Sequence, residues 1–275
     1  MKKFILNNGI EMPVIGLGTY PMNGNLLIET MLKSITYGYR SFDTSSAYQN
    51  HESIGEAIRL CDKNRDKIFI TTKLSNSQQR SGNVEGALKR SLSILGLKYV
   101  DLYLIHWPET DHYLESWIQM ENLYKQGLVR AIGVCNFHEH HLKSLLNIAN
   151  VIPAVNQIEL HPCLTQKPLT RFCESYQIRV EAYSPLARMH RKLVENPILL
   201  QVADKYKKSV PQIILRWNYQ NGIISIPKTQ DSKRLRDNIS IFDFSLLPEE
   251  MAAIEAINED FRVRHDPDNC DFSKL

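Results

Sequence analysis

Short β-rich runs alternate with longer amphipathic stretches along almost the whole chain. The runs lie at 14–17, 40–42, 68–72, 100–105, 129–134, 154–158, 179–182 and 223–226, each bounded by turn-forming or polar residues. Between them, at 29–37, 53–60, 84–95, 113–126, 139–149 and 167–176, apolar residues return every three or four positions, as on one helix face. A longer pair of helices is expected over 197–221. Ahead of the first run, Phe4-Ile5-Leu6 and Ile10-Glu11-Met12 flank the turn signal Asn7-Asn8-Gly9, which predicts a hairpin over 3–13. Eight strands in strict alternation with helices predict an α/β fold, a (β/α)8 TIM barrel with an N-terminal β-hairpin. The alternative is an open doubly wound sheet. Gly16-Leu17-Gly18 begins like its dinucleotide loop, but no glycine follows at the required third position, so any dinucleotide must bind by another device.

Length agrees with this pattern, since 275 residues lie near the ~250 typical of one closed barrel. No linker, low-complexity tract or short-period repeat divides the chain, so a single domain over 1–275 is expected. Charge excludes more than it suggests. With 33 basic and 30 acidic residues the net charge is +3, which gives no reason to expect nucleic acid or an anionic membrane as partner, while leaving room for a local basic site. The five cysteines, Cys61, Cys135, Cys163, Cys173 and Cys270, show no Cys-x-x-Cys spacing. That argues against a disulfide framework and a zinc site, and for a reducing compartment. Met1-Lys2-Lys3 is followed by only three apolar residues before Asn7, too few for a signal-peptide core, and no later run could span a bilayer. The expectation is a soluble, cytoplasmic monomer.

In a β/α barrel the reacting groups sit where strands end, so polar residues directly after strand runs matter most. Asp43 closes the second run and Tyr48 follows in the loop; Lys73 closes the third and His106 the fourth. Each has an ordinary structural explanation: a strand-end aspartate as a cap, a tyrosine in the core, a lysine reaching solvent, a histidine as a satisfied donor. Delivered together to one mouth they suit carbonyl reduction. Hydride addition leaves negative charge on oxygen, which must be met by hydrogen bonds and then a proton. Tyr48 can supply that proton. Its ordinary pKa of about 10 is high for the task, but Lys73 nearby would favour the phenolate, with Asp43 holding Lys73 charged and a neutral His106 donating to the carbonyl oxygen. Two other classes stay open: a lyase in which Lys73 forms a Schiff base, and a non-catalytic barrel that binds a nucleotide.

The stretch Gly38-Tyr39-Arg40-Ser41-Phe42-Asp43-Thr44-Ser45-Ser46-Ala47-Tyr48-Gln49-Asn50, with Glu52 and Gly55, resembles the first signature of the aldo-keto reductases. Ile226-Pro227-Lys228-Thr229 with Arg234 and Asn238 resembles that family's NADP site. Intermediate blocks at 133–137, 156–162 and 182–186 extend the likeness from Asn7 to about Asn269. The resemblance implies an NADP-dependent oxidoreductase acting on CH-OH groups, with Asp43, Tyr48, Lys73 and His106 as catalytic residues and NADPH as cofactor. It implies that Tyr183 stacks on the nicotinamide, that Asn136 and Gln157 bind its carboxamide, and that Gly18, Thr19, Ser184 and Leu186 line the cofactor channel. A helix N-terminus after the last strand, with Lys228, Thr229 and Arg234, would favour NADP over NAD through charge-assisted bonds of ~1.5 to 3 kcal/mol each.

Three positions depart from the pattern: Cys135 stands where the family usually has serine, Thr229 replaces a serine, and Asp237 replaces a glutamate. Tyr20 and Trp107 are expected to wall the substrate pocket. The tail from Arg262 to Asn269 resembles that of bacterial members reducing 2-oxoaldehydes or diketo sugar acids, and the short loop after Trp107 suggests an open mouth for small carbonyls. His138, His140 and His141 have no clear metal spacing, and no metal is expected.

Overall fold

The computed structural model describes residues 1–274. A two-stranded antiparallel hairpin, β1 (Lys3–Ile5) and β2 (Glu11–Pro13), precedes eight parallel strands. These are β3 (Leu17–Gly18), β4 (Ser41–Asp43), β5 (Phe69–Leu74), β6 (Leu102–Ile105), β7 (Ile132–Cys135), β8 (Val155–Glu159), β9 (Arg179–Tyr183) and β10 (Ile224–Ser225), each pairing with the next in sequence order. The ring closes between its first and last members. Ile15 bridges Ser225 in parallel, the Gly16 N–H donates to the Ser225 carbonyl at 2.9 Å, and the Gly18 N–H donates to the Pro227 carbonyl at 3.3 Å. Glycine is required at this seam. A Cβ on Gly18 would stand 2.9 Å from the Ile226 carbonyl oxygen, and one on Gly16 would stand 3.1 Å from Ser41 Oγ. The expected (β/α)8 barrel with its hairpin is the fold observed.

Strand parity then decides which side chains face inward. On β5, Phe69, Thr71 and Lys73 share the inner face, while Ile70 and Leu74 pack outward under the helices. The same alternation turns Asp43 of β4, Cys135 of β7, Gln157 and Glu159 of β8, and Glu181 and Tyr183 of β9 toward the axis. Two cores result. A small inner one of Leu6, Met12, Phe69, Leu102, Leu104, Val155 and Ile224 fills the amino-terminal end, where the hairpin closes the floor. The larger outer one lies between sheet and helices and includes Phe42, Tyr103, Trp117, Phe137 and Trp217. With the lower interior filled by hydrocarbon, polar residues concentrate at the upper rim.

The expected helices form at Gly24–Tyr37, His51–Leu60, Val84–Leu95, Tyr113–Lys125, Glu139–Leu146 and Lys167–Ser175. The stretch over 197–221 divides into Pro197–Tyr206 and Val210–Gln220, separated at Lys207, whose φ is 53°. Helices at Asn76–Arg80, Arg191–Val194 and Pro248–Glu255 were not anticipated. Asn76–Arg80 carries a readable signal, a capping box between Ser75 and Gln78. The run expected at 100–105 begins as a lone bridge, Val100 to Val129, and becomes regular only from Leu102. Among the described residues no helix is long and apolar enough to cross a membrane.

Candidate active site

Three adjacent strands deliver three of the expected groups to the carboxyl rim. Asp43 is the last residue of β4, Lys73 lies near the end of β5, and His106 directly follows β6. Tyr48 reaches the same point from a 3-10 turn, Ser46–Tyr48, which Ser45 caps by accepting the Ala47 N–H. Ser46 Oγ fixes that turn to β5 by donating to the Lys73 carbonyl at 3.0 Å. Lys73 is fully buried. Its Nζ donates to Asp43 Oδ1 at 2.6 Å, to the Thr44 carbonyl at 2.9 Å and to the Tyr48 hydroxyl at 3.5 Å. The His106 ring meets Tyr48 edge-on, with centroids 5.8 Å apart, and its Nδ1 lies 3.3 Å from Ser45 Oγ.

The electrostatics follow from burial and that one ion pair. Burial is the largest single influence on the Lys73 ammonium and pulls its pKa down, but Asp43, Tyr48 and Cys135 together outweigh it and the net direction is upward. Burial raises the Tyr48 phenol to about 12, more than the Lys73 ammonium pulls it down, and Asp43 adds to the rise. The expectation that Lys73 would favour phenolate is therefore corrected in balance: the cation acts in that direction, and desolvation wins. His106 is pushed well below the usual imidazole range by burial first and then by Lys73 and Arg264, so it is neutral.

Behind this group lies a polar layer. Gln157 Nε2 donates to Asp43 Oδ2 at 2.8 Å and to Glu181 Oε2 at 2.7 Å. Asn136 Nδ2 donates to the His106 carbonyl at 2.9 Å, and the Tyr183 hydroxyl donates to Asn136 Oδ1 at 2.7 Å. Asn136 and Ser184 both hold positive φ, 65° and 45°. Cys135 is buried with its thiol pushed up by burial; its Sγ lies 3.2 Å from Asn136 Nδ2 and 3.6 Å from Gln157 Oε1. Thr19 is wholly buried, donating to the Asp43 carbonyl at 2.8 Å and accepting from Asn50 Nδ2 at 3.1 Å.

The remaining expected cofactor residues gather on the β10 side of the rim. Gly18 joins the two groups: it pairs with Asp43 across β3 and β4, and a Cβ there would lie 3.7 Å from Lys228 Cβ. Thr229 Oγ1 accepts the Asp231 N–H at 3.1 Å, and Asp231 caps the helix Ser232–Ile239. Lys228 and Arg234 are exposed, and among the described residues neither makes an ion pair. Asn238 is buried beside the Tyr39 hydroxyl, Asp237 pairs with Lys233 at 2.8 Å, and Leu186 is half-buried on the loop after β9.

Tyr20 and Trp107 flank the mouth. The Tyr20 ring lies 5.0 Å from that of Tyr48, and Trp107 stands 6.4 Å from His106. The tail adds a wall that the chain's pattern did not disclose, for His265 and Phe272 pack at 6.5 and 6.3 Å from Trp107. Buried Glu159 pins this tail by accepting the Val263 and Arg264 N–H groups at 2.7 and 3.0 Å. His138 Nδ1 meets Asp268 at 2.7 Å, while Arg262 donates to its Nε2 at 3.2 Å. The histidine cluster thus gathers around a tail carboxylate. Ser45, Glu159 and Asp268 border the candidate site and were missed by sequence reasoning, and Glu181 lies in the layer beneath it; strand parity with Gln157 and Tyr183 could have found Glu159 and Glu181. A recess of about 850 Å³ beside the helices Lys167–Ser175 and Val210–Gln220 is lined by none of the candidate residues. The converging polar groups at the rim are the better marker of a candidate site.

Residues 14–259 match the model of the aldo/keto reductase family. The chain is 46% identical to the glyoxal reductase of Bacillus subtilis (strain 168), covering 97% of this chain and 96% of that one. It is 40% identical to the methylglyoxal reductase DkgA of Escherichia coli (strain K12), covering 96% of each. A crystal structure of an aldo-keto reductase, AKR2E5, complexed with NADPH is similar with a TM-score of 0.90 and 36% identity, over 96% of this chain and 90% of that one.

Proposed function

The chain belongs to the aldo/keto reductase family, and on that premise we propose that it reduces small aldehydes and ketones, 2-oxoaldehydes or diketo sugar acids among them, to alcohols with NADPH. The observation that carries this reading is the buried Lys73–Asp43 pair at 2.6 Å with the Tyr48 hydroxyl on the same ammonium. The rim fits the cofactor. Lys228 and Arg234 are unpaired cations beside a helix N-terminus, suited to a 2′-phosphate, and Gly18 leaves the seam without a side chain. Both hydrogens of Gln157 Nε2 are committed to carboxylates, so its Oε1 is the atom left to accept from a carboxamide NH2.

Bound NADPH supplies the hydride. Tyr48 and His106 receive the charge that develops on the carbonyl oxygen. With its phenol held near 12, Tyr48 arrives protonated at neutral pH and can act as the acid. The Lys73 ammonium stabilises the phenolate left behind, and Asp43 keeps that ammonium charged. Ser45 Oγ already accepts the Ala47 N–H, so its own hydrogen is free for His106 Nδ1; the neutral ring then presents Nε2–H to the substrate. Trp107, Tyr20 and the tail exclude water from one side.

The Schiff-base alternative needs an accessible neutral amine. Lys73 is fully buried, holds its proton and directs its hydrogens to three oxygens, so the geometry favours reduction. Free cysteines, a net charge of +3 and the undivided barrel support a cytoplasmic monomer, one domain over 1–275, acting on small molecules without nucleic acid. NADPH oxidation against glyoxal, methylglyoxal, diketo sugar acids and aromatic aldehydes, with borohydride trapping alongside, tests the reading. Carbonyl-dependent oxidation without an adduct is expected. A covalent adduct on Lys73, or NADPH binding with no turnover across the panel, would overturn it.

A further inference from the structure

Glu181 is a carboxyl group that the proposed chemistry does not use, and its setting is unusual. It sits inward at the middle of β9, wholly buried, across the ladder from Gln157. Its Oε2 accepts from Gln157 Nε2 at 2.7 Å, and the same nitrogen donates at 2.8 Å to Asp43 Oδ2. Two carboxyl groups therefore share one amide nitrogen. Among the described residues Oε1 of Glu181 has no hydrogen-bond partner. The charged and titratable groups around it are Asp43 from β4, Lys73 from β5 and Cys135 from β7, with Gln157 and Ile224 its partners across β8 and β10. The one cation among them is already neutralised by Asp43, so a charge on Glu181 would be buried without a counter-ion.

We propose that Glu181 is a positioning residue for the reduction: it holds Gln157 in the orientation that serves both Asp43 and the cofactor carboxamide, and loss of its proton sets the alkaline limit of the reaction. This rests on the reductase reading above. While Glu181 is protonated, its free oxygen carries the hydrogen and its other oxygen accepts from Gln157, so Asp43 remains the only buried anion facing Lys73. Once it ionises, two buried carboxylates held on the same NH2 group repel one another and compete for one ammonium. Gln157 and Asp43 lose their fixed arrangement, and a second negative charge opposes charge on the Tyr48 oxygen. Burial chiefly, then Asp43, pushes the Glu181 carboxyl up to about 8. Tyr48 lies near 12 and His106 far below its usual range, so neither would titrate in that region. The sign for stability is set the same way. The native state keeps a proton that the unfolded chain releases near 4.5, so stability is lost as pH rises from there through about 8.

The test compares wild type with Glu181→Gln and Glu181→Met across pH 6 to about 10, in kcat/KM, in NADPH affinity, in Tm and in the infrared carbonyl band of a protonated carboxyl group. For wild type we expect a protonated-carboxyl band at neutral pH that fades on the same curve as kcat/KM. Glu181→Gln should lack the band, keep near-wild-type rates at pH 7, extend them to higher pH, and gain Tm relative to wild type more at pH 9 than at pH 6. Glu181→Met, which cannot accept from Gln157, should also lose the alkaline limb but bind NADPH severalfold more weakly. An unchanged alkaline limb in Glu181→Gln, or a folded Glu181→Gln inactive at every pH, would overturn the proposal. If a variant does not fold, the wild-type band in glutamate-labelled protein decides: its absence at neutral pH overturns the idea. Wild type without carbonyl turnover would sink the reductase reading instead, while the band and Tm would still report on Glu181.

Discussion

The rim proposed to carry the chemistry and the tail that packs beside it face one another across the mouth, yet they are held by different means. Asp43 and Lys73 stand on neighbouring strands whose register is fixed by the barrel ladder, His106 directly follows the next strand, and Lys73 is locked by an ion pair that water does not reach. Among the described residues the tail has no strand. It is held by side chains, chiefly Glu159 on two backbone N–H groups, and by the half-exposed His138–Asp268 contact. Groups that move charge must keep their positions to within fractions of an ångström, and a ladder achieves that. A wall that admits and releases substrate can be held by a few separable contacts. Changes at the rim should therefore damage folding and rate together, whereas changes in the tail should move substrate affinity and leave the rate nearly intact.

The largest effect is expected from Lys73→Met. It leaves Asp43 buried without its cation, which by analogy with broken buried pairs costs about 3–5 kcal/mol, and turnover should fall with it. Thermal unfolding of the variant against wild type at neutral pH, with turnover measured alongside, checks this. On the cofactor side, Arg234→Gln should raise the KM for NADPH about tenfold to a hundredfold, the loss of one charge-assisted contact, with kcat unchanged. Equal loss with NADH would contradict the phosphate assignment. Next comes Glu159→Gln, which keeps one acceptor of two. It should raise the carbonyl KM about tenfold at most, leave kcat within about twofold, and speed amide hydrogen exchange over 262–270. A large fall in kcat there would erase the distinction between rim and tail. The smallest effect belongs to Asp268→Asn, a half-exposed contact worth about 0–1 kcal/mol, with changes in carbonyl KM below about fivefold.

Much of the rim was legible in the sequence because strand position and parity are local properties. A run ending in Phe42-Asp43 or Thr72-Lys73 states, to within a residue, where the strand stops, and which residue turns inward. The seam was legible in part: Gly16 and Gly18 were read as a failed dinucleotide loop, with Gly18 also expected in the cofactor channel, while the close approach of Ile226 and Ser41 that requires both glycines went unread. The tail's docking was not readable, because Val263 and Arg264 meet Glu159 across about a hundred residues and through backbone groups that carry no side-chain signature. Direction was readable for Tyr48 where balance was not. A lysine beside a phenol predicts a lowered pKa, but how much water burial removes is a property of the folded mouth. The histidines at 138, 140 and 141 lay on a helix start as expected, and the arrival of Asp268 gives all three a shared carboxylate partner.

The central claim is that the Tyr48 hydroxyl gives the proton while its neighbours only prepare it. Single-turnover oxidation of bound NADPH by methylglyoxal, compared between wild type and Tyr48→Phe, tests this most directly. The account predicts NADPH binding within about twofold of wild type and a rate lowered by about 10²–10⁴, the range for loss of a positioned acid. A Tyr48→Phe enzyme that turned over at near-wild-type rate would contradict it.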